Sequence, residues 1–281
     1  MLKNTFLHMP GIGVITESRL WESGILSWND FFKNTPLPLS QTRRNYLTNY
    51  LQESRLHLQN DNPRYFSDLL PSNQLWRLFS EFRHSTVYLD IETTGLDSWG
   101  NEITTIALYD GQSIFSYVNG QNLEDFAEDI KRYRVIVSYN GKTFDVPFIE
   151  SYLGISLEHA HIDLRYVLAG LGYRGGLKGC ERQLGMDREE LADIDGFFAV
   201  LLWNDYVRNN NPKALETLLA YNIQDTITLE RLMVIAYNLN LKDKPFYQTH
   251  QLELPDYPEI LFKADRKTVD RIKSGMYGGM Y

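Results

Sequence analysis

At 281 residues the chain is long enough for one or two domains with a full hydrophobic core, and 43% hydrophobic with 23% charged residues is ordinary for a globular protein. The formal net charge of −8 excludes a protein that coats nucleic acid by bulk attraction, although bound cations can supply positive charge locally. The single cysteine, Cys180, excludes a disulfide framework and a cysteine-built zinc site, and we expect its side chain to be buried.

No apolar run approaches the roughly twenty residues that span a bilayer, and the first residues lack the apolar core of a signal sequence. We therefore expect a cytoplasmic protein without membrane contact.

Residues 1–83 are predicted to be mainly helical, as a first unit over residues 1–35 and a helical arm over residues 36–83. In the first unit, Pro10-Gly11-Ile12-Gly13 is typical of a tight turn that exposes backbone N–H groups before a helix. This turn resembles the hairpin of helix-hairpin-helix DNA-binding modules, and we weigh DNA binding equally against a packing role. In the arm, an apolar stripe predicts a helix over residues 40–59 with Ser40 as its N-cap.

Residues 84–238 alternate between strand and helix patterns, which predicts a mixed α/β domain. The β-branched run from Thr86 to Leu96 is expected to be a buried strand that ends at Gly95. Further strands are expected over residues 103–109, 113–118 and 135–139, the first two joined as a hairpin by Asp110-Gly111. Helices are expected over residues 123–133, 144–153, 161–171, 177–184, 197–207 and 212–237. Residues 239–281 form a C-terminal extension to which the sequence assigns no role.

Acidic side chains occupy particular places on these predicted elements. Asp90 and Glu92 lie two apart on the first strand, so both point to one face of the sheet. Asp145 falls near a helix N-terminus, where backbone N–H groups favour a carboxylate. Tyr221 and Asp225 are four apart and share one face of the last helix. Paired buried carboxylates repel one another and lose hydration, so the Asp90–Glu92 pair calls for a cation.

The order of these motifs resembles a known family. Asp-x-Glu on a strand, Asn-x-x-x-Phe-Asp after a later strand and Tyr-x-x-x-Asp on a following helix resemble the DEDD exonucleases of the ribonuclease-H-like superfamily, in their tyrosine-containing DEDDy branch. The segment around residues 139–149 is similar to the proofreading domains of family B DNA polymerases. The closer resemblance, over about residues 84–237, is to the YprB-type ribonuclease-H-like domain, and it extends to His161-Ile162-Asp163-Leu164, Gly176-Leu177-Lys178-Gly179-Cys180-Glu181 and Asp193-Ile194-Asp195-Gly196.

This resemblance implies a ribonuclease-H-like mixed central sheet flanked by helices, and a metal-dependent 3′→5′ exonuclease acting on DNA or RNA. It implies that two divalent cations, Mg²⁺ or Mn²⁺, are held by Asp90, Glu92, Asp145 and Asp225. All-oxygen ligands suit those ions, and two of them can stabilise the attacking and the leaving oxygen of an in-line phosphodiester displacement. Tyr221 would orient the attacking water.

The resemblance also implies contacts to the substrate. The 3′-terminal nucleotide would meet the turn that follows Glu92, which comprises Thr93, Thr94, Gly95 and Leu96. Asn140 and Lys142 would flank the cleft. For Lys142 a phosphate contact and ordinary loop polarity fit the sequence equally well.

Two other functions remain open on the sequence alone, a non-catalytic nucleic-acid-binding module of the same fold and an endonuclease. His159 and His161 have no further histidine or cysteine at metal-ligand spacing, so we expect His161 to be structural. The sequence does not distinguish DNA from RNA or single strands from duplexes as the substrate.

Overall fold

The computed structural model describes residues 1–33, 40–186 and 195–278, with side chains described as far as residue 275. The predicted domain boundary at residues 35 and 36 and the Asp193-Ile194 pair lie outside the described residues. Within them, five strands form one sheet: β1 Thr86–Thr93, β2 Ile103–Tyr109, β3 Ile114–Val118, β4 Val135–Ser138 and β5 Ala160–Asp163.

The sheet is mixed, with its strands in the order β3-β2-β1-β4-β5. β2 runs antiparallel to β1 and β3, whereas β1, β4 and β5 run parallel to one another. The predicted β2–β3 hairpin is confirmed: Gly111 has a φ of 90°, and the Asp110 carboxylate accepts a hydrogen bond from the N–H of Gln112 at 3.0 Å. A mixed sheet flanked by helices is the predicted fold class, and it is confirmed.

Among the described residues, thirteen segments are α-helical: α1 Val14–Glu22, α2 Trp28–Phe31, α3 Gln41–Gln59, α4 Pro63–Leu69, α5 Phe79–Phe82, α6 Phe126–Asp129, α7 Asp145–Leu153, α8 Leu164–Gly170, α9 Gly176–Gln183, α10 Gly196–Asn209, α11 Pro212–Leu241, α12 Tyr247–His250 and α13 Arg266–Gly278. Ser40 caps α3 as predicted, because its hydroxyl accepts a hydrogen bond from the N–H of Arg43.

Two predicted helices need correction. The helix expected from His161 begins only at Leu164, because residues 160–163 form β5 beside β4. The helix expected over residues 123–133 is broken into a 3₁₀ turn, the short α6 and a second 3₁₀ turn. The strand β5 was missed because its four residues are too few to show a strand pattern, and its pairing depends on the distant segment β4.

The alternation of side chains along β1 fixes where the acidic residues point. Val87, Leu89 and Ile91 pack into the core on one face of the sheet. Tyr88 belongs to the core on the other face, together with Ile223 and Ile227 of α11. Because residues two apart share a face, Asp90 and Glu92 lie with Tyr88 on the face that α11 covers.

The N-terminal residues belong to that same core. Met1, Phe6 and Leu20 are buried in one hydrophobic cluster with Leu232 and Tyr237 of α11. Residues on both sides of the predicted boundaries at residues 35 and 83 thus pack in one core. The division into units at residues 35, 83 and 238 stays a prediction.

The Pro10–Gly13 turn leads directly into α1, as predicted, and Gly11 adopts a φ of 69°. Before it, the chain forms a 3₁₀ turn at Leu2–Asn4 and no α-helix within residues 1–13. The first helix of a helix-hairpin-helix is thus missing, and DNA binding by this turn stays a prediction.

The C-terminal extension also packs against the domain. Val269 and Ile272 of α13 lie against a cluster formed by α10 and α11, which includes Trp203 and Tyr221. No helix in the described part of the chain is both long and apolar enough to cross a membrane.

Candidate active site

Three acidic residues converge where α11 crosses β1. Carboxylate oxygens of Asp90, Glu92 and Asp225 lie within 4.8 Å of one another. Two of these residues come from the strand and the third from the middle of the helix, so the packing of α11 on the sheet creates the cluster.

Asp145 reaches the cavity from a different part of the chain. It is the first residue of α7, just beyond the end of β4, and its Oδ1 accepts a hydrogen bond from the N–H of Ile91 at 3.3 Å. It is not one of the three residues whose oxygens lie within 4.8 Å of one another. All four acids nevertheless line one cavity of about 490 Å³.

Burial and mutual repulsion make three of the carboxyl groups, those of Asp90, Glu92 and Asp145, difficult to ionise. The pKa of Asp90 is raised well above its usual value, first by burial and then by the charges of Asp225 and Glu92. The pKa of Glu92 is raised by burial and by Asp225 and Asp145. Burial raises the pKa of Asp145 to about 7, although N–H groups, including that of Ile91, oppose the shift. A hard divalent cation would relieve this repulsion, and the all-oxygen donor set fits one.

Tyr221 lies beside the acids, as the sequence predicts. Its side chain is buried, and Asp225 lies one helical turn further along α11. Burial and the charges of Asp225 and Glu92 raise the pKa of the phenol, so the hydroxyl group keeps its proton at neutral pH.

Residues 87–237, more than half of the chain, match the family RNase_H_2, which is described as the RNase H superfamily. The protein belongs to the RNase H superfamily. This membership supports a nuclease in general terms, with a nucleic-acid substrate and divalent cations as cofactors.

Among curated proteins none matches the sequence. A solved structure that does match is the family B DNA polymerase from the hyperthermophilic archaeon Pyrobaculum calidifontis, at 17% identity over 60% of this chain, with a TM-score of 0.43. The RNase H superfamily chain spans 27% of that polymerase.

Two further residues at this RNase H-like site escaped the sequence analysis. Asn222 donates from Nδ2 to the Oδ2 of Asp90 at 2.8 Å and to its backbone carbonyl at 3.2 Å, while its own oxygen accepts from Thr105. Lys178 of α9 places its Nζ 4.9 Å from the centre of the Tyr221 ring, and its charge lowers the pKa of Glu92. Asn222 stands within the Tyr-x-x-x-Asp motif and Lys178 within the Gly176–Glu181 segment, but neither pattern assigns them a role, so the tertiary contacts alone reveal it.

The turn predicted to meet the terminal nucleotide lines the same cavity, and it comprises Thr93, Thr94, Gly95 and Leu96. A Cβ on Gly95 would stand 2.3 Å from the side-chain oxygen of Asn101, so the glycine permits a close approach within the protein itself. Leu96 is 89% exposed and Trp99, further along the loop, is 93% exposed. Both large apolar side chains stand in solvent, and Leu96 lines the cavity.

Of the two predicted flanking residues, Asn140 lines the cavity and Lys142 does not. Burial lowers the pKa of the Lys142 ammonium, and the negative charges of Asp163 and Asp68 oppose that shift. The rest of the wall is apolar and is formed by Phe144, Leu177, Phe197 and Val200. A flat, uncharged group such as a nucleobase suits such a wall.

The buried carboxylate of Asp163 fixes the loop that carries Asn140. Standing at the end of β5, it accepts hydrogen bonds from the N–H groups of Asn140 at 2.8 Å, Lys142 at 3.1 Å and Arg165 at 3.0 Å. Gly141 lies between the first two, where a Cβ would stand 2.2 Å from the hydroxyl oxygen of Ser138. Asp163 thus caps α8 and holds the loop that leads into α7. The position of this loop sets where α7 begins, and therefore where Asp145 lies.

His161 and Cys180 have structural surroundings. The Nε2 of His161 lies 2.7 Å from the hydroxyl of Ser138, and burial lowers the pKa of the imidazole to about 3. Cys180 is buried, as expected, with its Sγ 3.6 Å from the Tyr139 hydroxyl.

Proposed function

We propose that the protein is a metal-dependent 3′→5′ exonuclease of the DEDDy type, which hydrolyses phosphodiester bonds of nucleic acid with two divalent cations, Mg²⁺ or Mn²⁺. The observation that carries the proposal is the convergence of Asp90, Glu92 and Asp225, with Asp145 in the same cavity. These four acids would hold the cations. When bound, the ions supply positive charge to the attacking and the leaving oxygen of an in-line displacement.

The protein's own groups prepare the acids for this task. Asn222 holds the Asp90 carboxylate by a hydrogen bond of 2.8 Å, so one of its oxygens is oriented before any ligand arrives. Tyr221 keeps its proton because its pKa is raised, and it therefore acts as a hydrogen-bond donor. We assign it the role of orienting the attacking water by donating that proton in a hydrogen bond.

The cavity beside the acids would receive the 3′-terminal nucleotide. The turn from Thr93 to Leu96 and Asn140 line it with polar backbone and amide groups, while its remaining wall is apolar. Lys142 is given no contact to this nucleotide, because it does not line the cavity.

The test uses 5′-labelled DNA and RNA oligonucleotides with Mn²⁺ or Mg²⁺. We expect a ladder of products shortened stepwise from the 3′ end, and Asp90→Asn should reduce the rate at least 1,000-fold by removing one charge from the cluster. Asp243→Asn, at an exposed position outside the cavity, is the matched control and should behave as the wild type.

Each alternative has its own result. A single internal fragment would indicate an endonuclease. Binding that EDTA does not change, without cleavage in either metal, would indicate a non-catalytic module. Cleavage by Asp90→Asn at the wild-type rate would refute the assignment of the acids.

A further inference from the structure

A second cavity, of about 510 Å³, adjoins the one that contains the acids. The two cavities share Tyr139 and Asn140, which form their common wall. We call the second one the arginine pocket, and define it by Arg165, Arg174, Tyr139, Tyr173 and the Gly175–Gly176 backbone. A ligand that leaves the acid cavity past Asn140 enters this pocket.

The charge of the arginine pocket is opposite to that of the chain as a whole. Its charged lining residues are two arginines, in a protein with a formal net charge of −8. Arg165 is held in place, because its guanidinium donates to the side-chain oxygen of Asn140. A guanidinium group is the side chain best suited to pairing with a phosphate.

The uncharged part of the pocket offers flat surfaces and open space. Tyr139 and Tyr173 supply two aromatic rings, and the contact of the Tyr139 hydroxyl with Cys180 at 3.6 Å fixes the first of them. Gly175 and Gly176 have φ values of 109° and 74°, and a Cβ on Gly176 would meet no atom within 4 Å. The turn before α9 is therefore open on the side that borders the pocket.

We propose that the arginine pocket binds the nucleotide on the 5′ side of the terminal one in single-stranded nucleic acid. Arg165 and Arg174 pair with the phosphodiester on the 5′ side of this nucleotide, and its base stacks on a tyrosine ring. This inference rests on the proposed function, since it assumes that the 3′ end occupies the acid cavity. A single strand is specified because paired bases in a duplex do not present their faces to aromatic side chains.

The first experiment measures hydrolysis in Mn²⁺ of two substrates, dT2 and dT8, with rU2 and rU8 as the RNA arm. Arg165→Ala/Arg174→Ala should raise the KM for the octamer at least tenfold more than the KM for the dimer. The dimer fills the pocket with its 5′ nucleotide but lacks the phosphodiester on the 5′ side of that nucleotide, with which the two arginines pair in the octamer. Any effect transmitted through Asn140 changes the KM for both substrates alike, and it therefore cancels in the ratio of the two KM values. Arg132→Ala is the control, since Arg132 pairs with Asp129 at 3.0 Å beside Phe115 of β3.

The second experiment measures fluorescence anisotropy of labelled dT8 and rU8 in EDTA, so it does not depend on catalysis. The double variant should bind at least tenfold more weakly than the wild type, and the slope of log affinity against log salt should fall by roughly 1.4, as expected for two lost contacts to a single strand.

The two experiments separate the two proposals. Hydrolysis with the same KM ratio in the double variant and in Arg132→Ala would overturn the arginine pocket and leave the exonuclease standing. Binding that depends on the arginines without hydrolysis would overturn the exonuclease and keep the pocket. Binding of a blunt duplex as tightly as dT8 would overturn the single-strand assignment.

Discussion

Burial is the main cause that controls the protonation of the Asp145 carboxyl group. Its pKa is raised to about 7, and the largest cause is loss of water, ahead of any neighbouring charge. In the folded protein it therefore binds a proton that the unfolded chain releases near pH 3.8. Between these two values the folded state holds more protons, so the free energy of unfolding falls as the pH rises.

We expect metal-free protein in EDTA to lose stability as the pH is raised from 5 to 7, at about 1 kcal/mol per pH unit from this group. Asp145→Asn should remove that part of the slope, and Mn²⁺ should flatten the wild-type curve because it binds the ionised, folded form. Denaturant unfolding at each pH measures both.

His8 and His161, whose pKa values burial lowers to about 3, make the free energy of unfolding rise with pH below pH 6.5. Their contribution is the same in wild type and variant. The difference between the two curves therefore reports Asp145 together with Asp90 and Glu92, whose pKa values its charge raises. If the free energy of unfolding depended on pH equally in the wild type and in Asp145→Asn, the assignment of this proton to Asp145 would be wrong.

At the same scale, the sequence predicted the acids and the tyrosine but not their supports. Asp90, Glu92 and Asp225 carry a recognisable order and spacing, and the predicted proximity of these three is what the structure shows. Asn222 and Lys178 are defined by what they contact, a carboxylate on β1 and a ring on α11, and neither contact leaves a local pattern.

At the scale of elements, the short strand β5 matters more than its length suggests. The sequence predicted helix there, because three of its residues, His161, Ile162 and Asp163, show neither clear alternation nor a β-branched run. Its pairing with β4 places Asp163 under the loop from Asn140 to Lys142. A missed strand thus concealed the residue that fixes the candidate site's second motif.

We expect Asp163→Ala to destabilise the protein by about 2–4 kcal/mol, because it removes the cap of α8 and leaves loop N–H groups without their acceptor. It should also lower kcat, although Asp163 itself does not line the acid cavity. Denaturant unfolding and hydrolysis of dT8 in Mn²⁺ provide the two measurements.

Asn62→Ala removes the cap of α4, where the side chain accepts from Tyr65, and serves as the control. It should cost about 1 kcal/mol and leave kcat unchanged. A normal kcat in Asp163→Ala would show that the loop holds its shape without this carboxylate.

For the whole molecule, an ion pair buried in the core ties helix α1 to the segment that precedes β1. Glu17 of α1 and Arg77 lie 3.0 Å apart, with side chains 2% and 1% exposed. Glu17 also accepts hydrogen bonds from the hydroxyl of Thr5 at 2.6 Å and the N–H of Phe6 at 2.7 Å. The sequence predicts helices around both residues but not their contact, because the two positions lie far apart along the chain.

We expect Glu17→Gln to destabilise the protein by about 3–5 kcal/mol, since it leaves the Arg77 guanidinium buried without a counter-charge. Unfolding should remain a single transition, because residues 1–31 share one core with α11. Replacing both partners, by Glu17→Leu with Arg77→Met, should recover most of the loss. A variant that loosens only the first thirty or so residues to proteolysis, leaving α11 protected, would contradict this coupling.

The exposed loop that follows the acids provides the molecule with an optical reporter of its own. Of the five tryptophans in the sequence, Trp99 is 93% exposed, while Trp21, Trp28, Trp76 and Trp203 are buried. An aqueous quencher such as acrylamide therefore reaches the Trp99 indole far more readily than the other four. Shielding of that emission by an oligonucleotide would register binding at the loop that follows Leu96 in unlabelled protein, even in a variant that no longer cuts.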